Sequence, residues 1–127
     1  ERISDRTCEF AMVNPQRQGL SARYAWMAVA ERETGNDPLQ AIQKLDLASG
    51  ATHTWSAAPR GFVSEPLMVR RPGAEAEDDG WVLDLVWNGA RRASDLVILH
   101  ARDLAEVAVL ELPLAVPHGL HGSWAAA

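Results

Sequence analysis

Two of the chain's four histidines, His118 and His121, stand three residues apart near its end. They lie in the segment Val116-Pro117-His118-Gly119-Leu120-His121-Gly122-Ser123-Trp124. Imidazole is a borderline ligand that suits iron, and either nitrogen can bind the metal. Pro117, Gly119 and Gly122 make the segment irregular, so no helix face presents both rings together. Neither an HxxxH nor an HExxH spacing occurs anywhere in the chain. Read from these residues alone, His121 is a terminal surface or core histidine and a weak candidate ligand, and two ligands from this one turn are not expected. Gly119 and Gly122 are expected to allow close backbone approach and unusual dihedrals beside it. His53 and His100 have no partner at metal-binding spacing. The acidic run Glu75-Ala76-Glu77-Asp78-Asp79-Gly80 lacks the spacing of an EF-hand and its distant glutamate, and reads as a solvated loop. Asp79-Gly80 in that run suits a tight turn. Cys8 has no CxxC partner and reads as a small, semi-buried apolar residue. Ser123 has no nucleophile-elbow context. The five tryptophans read as packing residues.

The elements that must position these residues have the periodicity of strands. Arg23 to Ala30 is a mostly apolar run with aromatics. Ala41 to Leu47 alternates, Ala48-Ser49-Gly50-Ala51 is a small-residue turn, and Thr52 to Trp55 completes a hairpin. Leu67-Met68-Val69, Trp81 to Trp87 and Leu96 to Leu99 are apolar runs, and Glu106 to Leu112 alternates again. Ala101 to Ala105 reads as a turn between strands. Gly35-Asn36-Asp37-Pro38 and Pro72-Gly73 mark loops. Short strands separated by turns predict an antiparallel all-β fold. They fall into two groups, one before Pro59 and one from Glu65 to Leu112. Each group reads as a propeller blade or part of one, and an isolated blade would leave edges and one core face open.

The chain has 127 residues, the length of one domain. Its net charge of −5, with acidic residues dispersed, argues against nucleic-acid binding, which needs clustered Lys and Arg. Arg70-Arg71 and Arg91-Arg92 do not form a phosphate-binding stripe. The single cysteine fits a reducing compartment, so a cytoplasmic location is expected. No run of 18 apolar residues and no signal peptide is visible. The chain opens on Glu1 rather than Met, which suggests a piece of something longer.

Several motifs occur in an order that is more specific than any one of them. They are Cys8-Glu9-Phe10-Ala11-Met12-Val13-Asn14, Arg23-Tyr24-Ala25-Trp26, the Ile42-to-Leu47 hairpin with Trp55, Ser64-Glu65-Pro66-Leu67-Met68-Val69, Pro72 through Trp81, Asp95 to Leu99, and the closing His121-Gly122-Ser123-Trp124. Together they resemble the C-terminal end of the carotenoid cleavage oxygenases, which are non-haem iron enzymes, and the resemblance covers nearly the whole chain. It implies roughly the last two blades of a seven-bladed β-propeller, with residues 1–127 as one C-terminal segment. The sequence departs from the family pattern at Ala11 and Arg70, where proline is usual, and at His118 and Leu120, where aromatics are common. His100 stands where an aspartate is frequent. These departures leave the subfamily and the substrate open.

The resemblance implies that His121 is the last of four histidine ligands to Fe(2+). A ligating imidazole commonly donates its other N–H to a carboxylate, which fixes the ring. By resemblance Glu65 does this, with His121 its expected partner, and Glu9 does it for a histidine elsewhere in the propeller. The implied reaction adds dioxygen across a conjugated C=C bond of an apolar carotenoid, apocarotenoid or stilbene-like substrate and gives two carbonyl products. The implied partners are that substrate, dioxygen and the remainder of the propeller. Isomerisation instead of cleavage, or an inactive β-rich fragment, remain alternatives. An apolar substrate suggests peripheral membrane contact, but no basic amphipathic helix supports it.

Overall fold

A computed structural model describes residues 6–33, 35, 37–119 and 121–125. Asn36 of the first loop and Leu120 beside His121 lie outside the described residues.

Among the described residues, nine strands form two antiparallel sheets. The first runs β1 (Cys8–Met12), β2 (Tyr24–Ala30), β3 (Leu39–Asp46), β4 (Thr52–Ser56), in sequence order across the sheet. A 3-10 turn, Pro15–Arg17, follows β1. The second sheet is built on β7 (Gly80–Asn88), β8 (Ala93–His100) and β9 (Glu106–Glu111). The free edge of β7 takes two short strands in series. β5 (Gly61–Phe62) pairs with its Trp87–Asn88 end, and β6 (Leu67–Arg70) pairs with its Gly80–Leu83 end. The first sheet and the β6–β7–β8–β9 part of the second are therefore meanders in which sequence neighbours are space neighbours, as the turn spacing predicted. β1 and β5 were not legible as strands from periodicity.

One face of each sheet meets the other. Trp26, Ala28 and Ile42 of the first sheet pack against Met68, Val82, Val86, Val97 and Leu99 of the second, all buried. Trp26 is fully buried, and its indole N–H donates to the Ala101 carbonyl at 2.9 Å. The opposite face of β2 and β3 gathers Ala25, Met27, Val29, Ala41 and Leu45. Burial on both faces explains why β2 reads as a continuous apolar run rather than an alternating one.

The Glu75–Gly80 loop departs from the solvated expectation. Glu77 Oε1 accepts the backbone N–H groups of Arg23 and Tyr24 at 2.8 and 2.9 Å, which fixes the start of β2. Asp78 takes the Lys44 ammonium at 2.6 Å, and Lys44 also donates to the Arg102 carbonyl at 2.7 Å. That ammonium lies 3.9 Å from the centre of the Tyr24 ring, so a buried lysine on β3 is held by the second sheet and by an aromatic face. Asp79 pairs with Arg71. Glu77 and Asp78 thus join the two sheets. Gly80 is the first residue of β7, not part of a turn. A Cβ there would collide with the Val69 carbonyl and stand 2.9 Å from Arg70 Cα. Cys8 is exposed on the edge strand β1, which corrects the semi-buried expectation: β1 has a neighbour on one side only.

Candidate metal centre

β1 and β6 are the edge strands of their sheets, and their facing edges carry the candidate site. Met12 of β1 and Met68 of β6 touch through the Met68 N–H and the Met12 sulfur, at 2.9 Å. β1 is not regular. Glu9 pairs with Ala28 and Met12 with Trp26, so Phe10 and Ala11 together oppose Met27 alone. Phe10 carries this bulge at φ 56°, a left-handed conformation that costs an aromatic residue on the order of 1–3 kcal/mol. The re-aimed Phe10 ring meets the His121 ring edge to face, with centroids 6.2 Å apart and planes at 90°.

His121 reaches this edge because the chain after β9 folds back across the second sheet. Buried Ser94 of β8 holds it at three points. The Leu112 N–H donates to the Ser94 carbonyl, the Ser94 N–H to the Leu114 carbonyl, and the Val116 N–H to Ser94 Oγ at 2.9 Å. Five residues later, His121 Nδ1 lies 3.2 Å from Glu65 Oε1, and the Gly122 N–H donates to Glu65 Oε2 at 2.6 Å. One carboxylate thus fixes both the imidazole and the backbone next to it. With Nδ1 protonated the ring donates to Glu65, and Nε2 has no hydrogen-bond partner among the described residues. The ring is 79% exposed while Glu65 is 17% exposed, so an anchored carboxylate holds an outward-lying imidazole.

The expected roles of Gly119 and Gly122 need correction. Neither has a positive φ, and a Cβ on Gly119 would meet nothing within 4 Å. Only at Gly122 would an added Cβ crowd a neighbour, 3.1 Å from Leu67 Cδ1. Glu9 sits on β1, exposed, with no hydrogen bond or ion pair among the described residues. His53, His100 and His118 are exposed as well. Among the described residues no three His, Cys, Asp or Glu side chains gather to hold a metal. The structure joins Glu65 to His121 and leaves Glu9 separate.

A cleft of about 480 Å³ lies beside the Glu65–His121 pair, walled by Leu67, Leu83, Leu85, Leu96, Val116 and Pro117. Sequence reasoning missed three contributors to the site: Phe10, Ser94 and Asp84. Asp84 is buried on β7, and its Oδ1 accepts the Ser64 N–H at 2.9 Å. Desolvation, opposed only by that one bond, pushes its carboxyl up to about 7. The only sequence signal for Asp84 was a charged residue inside an apolar run. Phe10 stood in a motif that carries the resemblance without a role read for it, and Ser94 carried no signal.

Two consecutive antiparallel meanders, each led by an edge strand and together presenting one imidazole held by a carboxylate, are a pair of β-propeller blades. The chain belongs to the retinal pigment epithelial membrane protein family, the carotenoid cleavage oxygenases, whose model matches residues 1–126. It is 50% identical over 122 residues to an apocarotenoid-15,15'-oxygenase of Synechocystis, covering 94% of this chain and 25% of that protein. It is 36% identical to resveratrol cleavage oxygenase 1 of Aspergillus fumigatus, covering 95% and 24%. The crystal structure of a cobalt-substituted Synechocystis apocarotenoid oxygenase superposes with a TM-score of 0.97 at 47% identity, over 100% of this chain and 27% of that one. The chain spans about a quarter of the length of the curated relatives it matches.

Proposed function

We propose that the protein carrying this chain is a non-haem Fe(II)-dependent dioxygenase, with residues 1–127 as its C-terminal segment. It cleaves a conjugated C=C bond of an apolar carotenoid, apocarotenoid or stilbene-like substrate. Both atoms of one dioxygen enter the products, so each alkene carbon becomes a carbonyl. The observation that carries this reading is the Glu65–His121 contact at the mouth of an apolar cleft. It is the carboxylate–histidine arrangement that orients metal ligands, with the second nitrogen left available. The donor set suits the metal: a neutral imidazole is a good ligand for ferrous iron, and the carboxylate keeps its proton on the far nitrogen.

In this reading His121 binds the metal through Nε2. Glu65 holds the ring through Nδ1 and the backbone through the Gly122 N–H, so the nitrogen lone pair is preset in direction. Phe10 packs against the ring edge and limits its rotation. Glu9 orients a second ligating histidine contributed by the rest of the propeller. The iron, when bound, supplies activation of dioxygen. The leucines of the cleft exclude water and receive an apolar substrate. The names of the relatives, an apocarotenoid oxygenase and a resveratrol cleavage oxygenase, support the substrate class. We place the protein in the cytoplasm, where an exposed, unpaired Cys8 stays reduced.

The test is anaerobic loading of the polypeptide as its gene encodes it with Fe(II), followed by addition of dioxygen and either an apocarotenoid or a hydroxylated stilbene. Two carbonyl products per dioxygen consumed support the reading. A single isomerised product without dioxygen uptake contradicts cleavage, and no iron uptake contradicts the metal site.

A further inference from the structure

The free edge of β7 is not evenly paired. β6 covers it as far as Leu83 and β5 resumes at Trp87, which leaves Asp84, Leu85 and Val86 without a strand partner on that side. The chain crossing this gap is Val63-Ser64-Glu65-Pro66. Pro66 has no N–H to give to a ladder. The Ser64 N–H goes to a side chain instead, Asp84 Oδ1 at 2.9 Å. Glu65, released from the ladder, extends both carboxylate oxygens to His121 and Gly122.

Asp84 holds this break from an unusual place. It shares the core-facing side of β7 with Val82 and Val86, and it is 2% exposed. Its Oδ2 has no hydrogen-bond partner among the described residues, and no cation pairs with it. A carboxyl buried with one of its two oxygens unsatisfied is destabilising where an apolar side chain would fill the core. Its one bond falls on the residue that precedes Glu65. The geometry points to Asp84 as a positioning residue: it fixes Ser64 at the gap between β5 and β6, and through Ser64 it sets the Glu65 carboxylate that orients His121. The shift of its carboxyl toward neutral pH agrees with a group held there for its acceptor oxygen rather than its charge. What the positioning serves rests on the proposed metal site. The link from Asp84 to Glu65 can be tested without metal.

The experiment uses the polypeptide as its gene encodes it, with two measurements. Amide hydrogen exchange reports the hold of Glu65 on the segment 116–125. Titration with Co2+ reports metal affinity and, through its visible absorption, ligand geometry. Asp84→Ala and Glu65→Ala should each speed exchange in that segment about tenfold, and the double variant should exceed neither, because both break one chain of contacts. Asp84→Val removes the acceptor while filling the core, and should act as Asp84→Ala does even if the alanine variant fails to fold. Asp84→Asn keeps an acceptor for Ser64 and should leave exchange at the wild-type rate. Co2+ affinity should fall about tenfold in Asp84→Val, with a changed absorption band, and recover in Asp84→Asn. Wild-type exchange of the segment in Asp84→Val, or effects of the Asp84 and Glu65 changes that multiply, would overturn the inference and leave the metal reading standing. Loss of the exchange coupling pattern in none of these variants, with no Co2+ taken up by the wild type, would sink the metal reading and keep Asp84's role in placing Glu65.

Discussion

Replacing Asp84 by asparagine should change how stability depends on pH, in a direction the structure fixes. Burial raises the folded-state pKa from an ordinary 3.8 to about 7. Between those values the folded chain holds a proton that the unfolded chain releases, so rising pH favours unfolding. Asp84 therefore weakens the fold progressively from about pH 4 to about pH 7, and the loss is complete above its folded pKa. A displacement of about three pH units at roughly 1.4 kcal/mol each gives an upper value of about 4 kcal/mol. Relaxation around the buried charge brings the expected range to about 2–4 kcal/mol. Asparagine keeps the shape and the acceptor for Ser64 but does not titrate. Its amide N–H groups add a cost that does not vary with pH. The quantity to follow is thus the difference between the two proteins at each pH, not either stability alone. Reversible urea unfolding, followed by tryptophan fluorescence at steps from pH 4 to 8, measures it. Asp84→Asn should gain about 2–4 kcal/mol relative to wild type across that window. Parallel profiles, or a wild type that gains on the variant as pH rises, would refute the burial argument.

Other changes test the remaining contacts. Lys44→Ala leaves Asp78 without its cation at a nearly closed junction of the two sheets. It should cost about 3 kcal/mol in urea unfolding, as the breaking of a buried pair does. Gly80→Ala should cost on the order of 1–3 kcal/mol in the same assay, because the new methyl meets the backbone of Val69 and Arg70 rather than a flexible side chain. Gly119→Ala, with open space around it, should shift the midpoint by less than about 0.5 kcal/mol. Glu65→Gln keeps the size of the side chain but removes the charge that favours a protonated Nδ1. Metal affinity, read by Co2+ titration, should fall about 10- to 100-fold.

The strands were legible where alternation or a short apolar run lay between turn residues. β3 and β9 were found by alternation, and β6, β7 and β8 by apolar runs between turn residues. β2 was found by its apolar run, but its burial on both faces removes the alternation that would have shown how it packs. β1 was invisible to periodicity because a bulge at Phe10 breaks the two-residue repeat. The site was less accessible still. Glu65 and His121 are 56 residues apart, and no local spacing connects them. Only the order of several motifs pointed to the pair, by resemblance to a family. The acidic loop was misread because composition cannot show that Glu77 and Asp78 face backbone N–H groups and a lysine from the other sheet. Asp84 looked like a polar interruption in a strand. Its meaning depends on a gap between β5 and β6 that only the pairing reveals.

The central claim, that His121 is a metal ligand held by Glu65, is tested most directly by metal content. Iron should be measured in the polypeptide as its gene encodes it, after anaerobic Fe(II) loading and desalting, beside the variant His121→Ala. The account predicts about one iron per chain in the wild type and loss of most of it in the variant, with the fold intact by circular dichroism. Equal iron in both proteins, or none in the wild type, would contradict it.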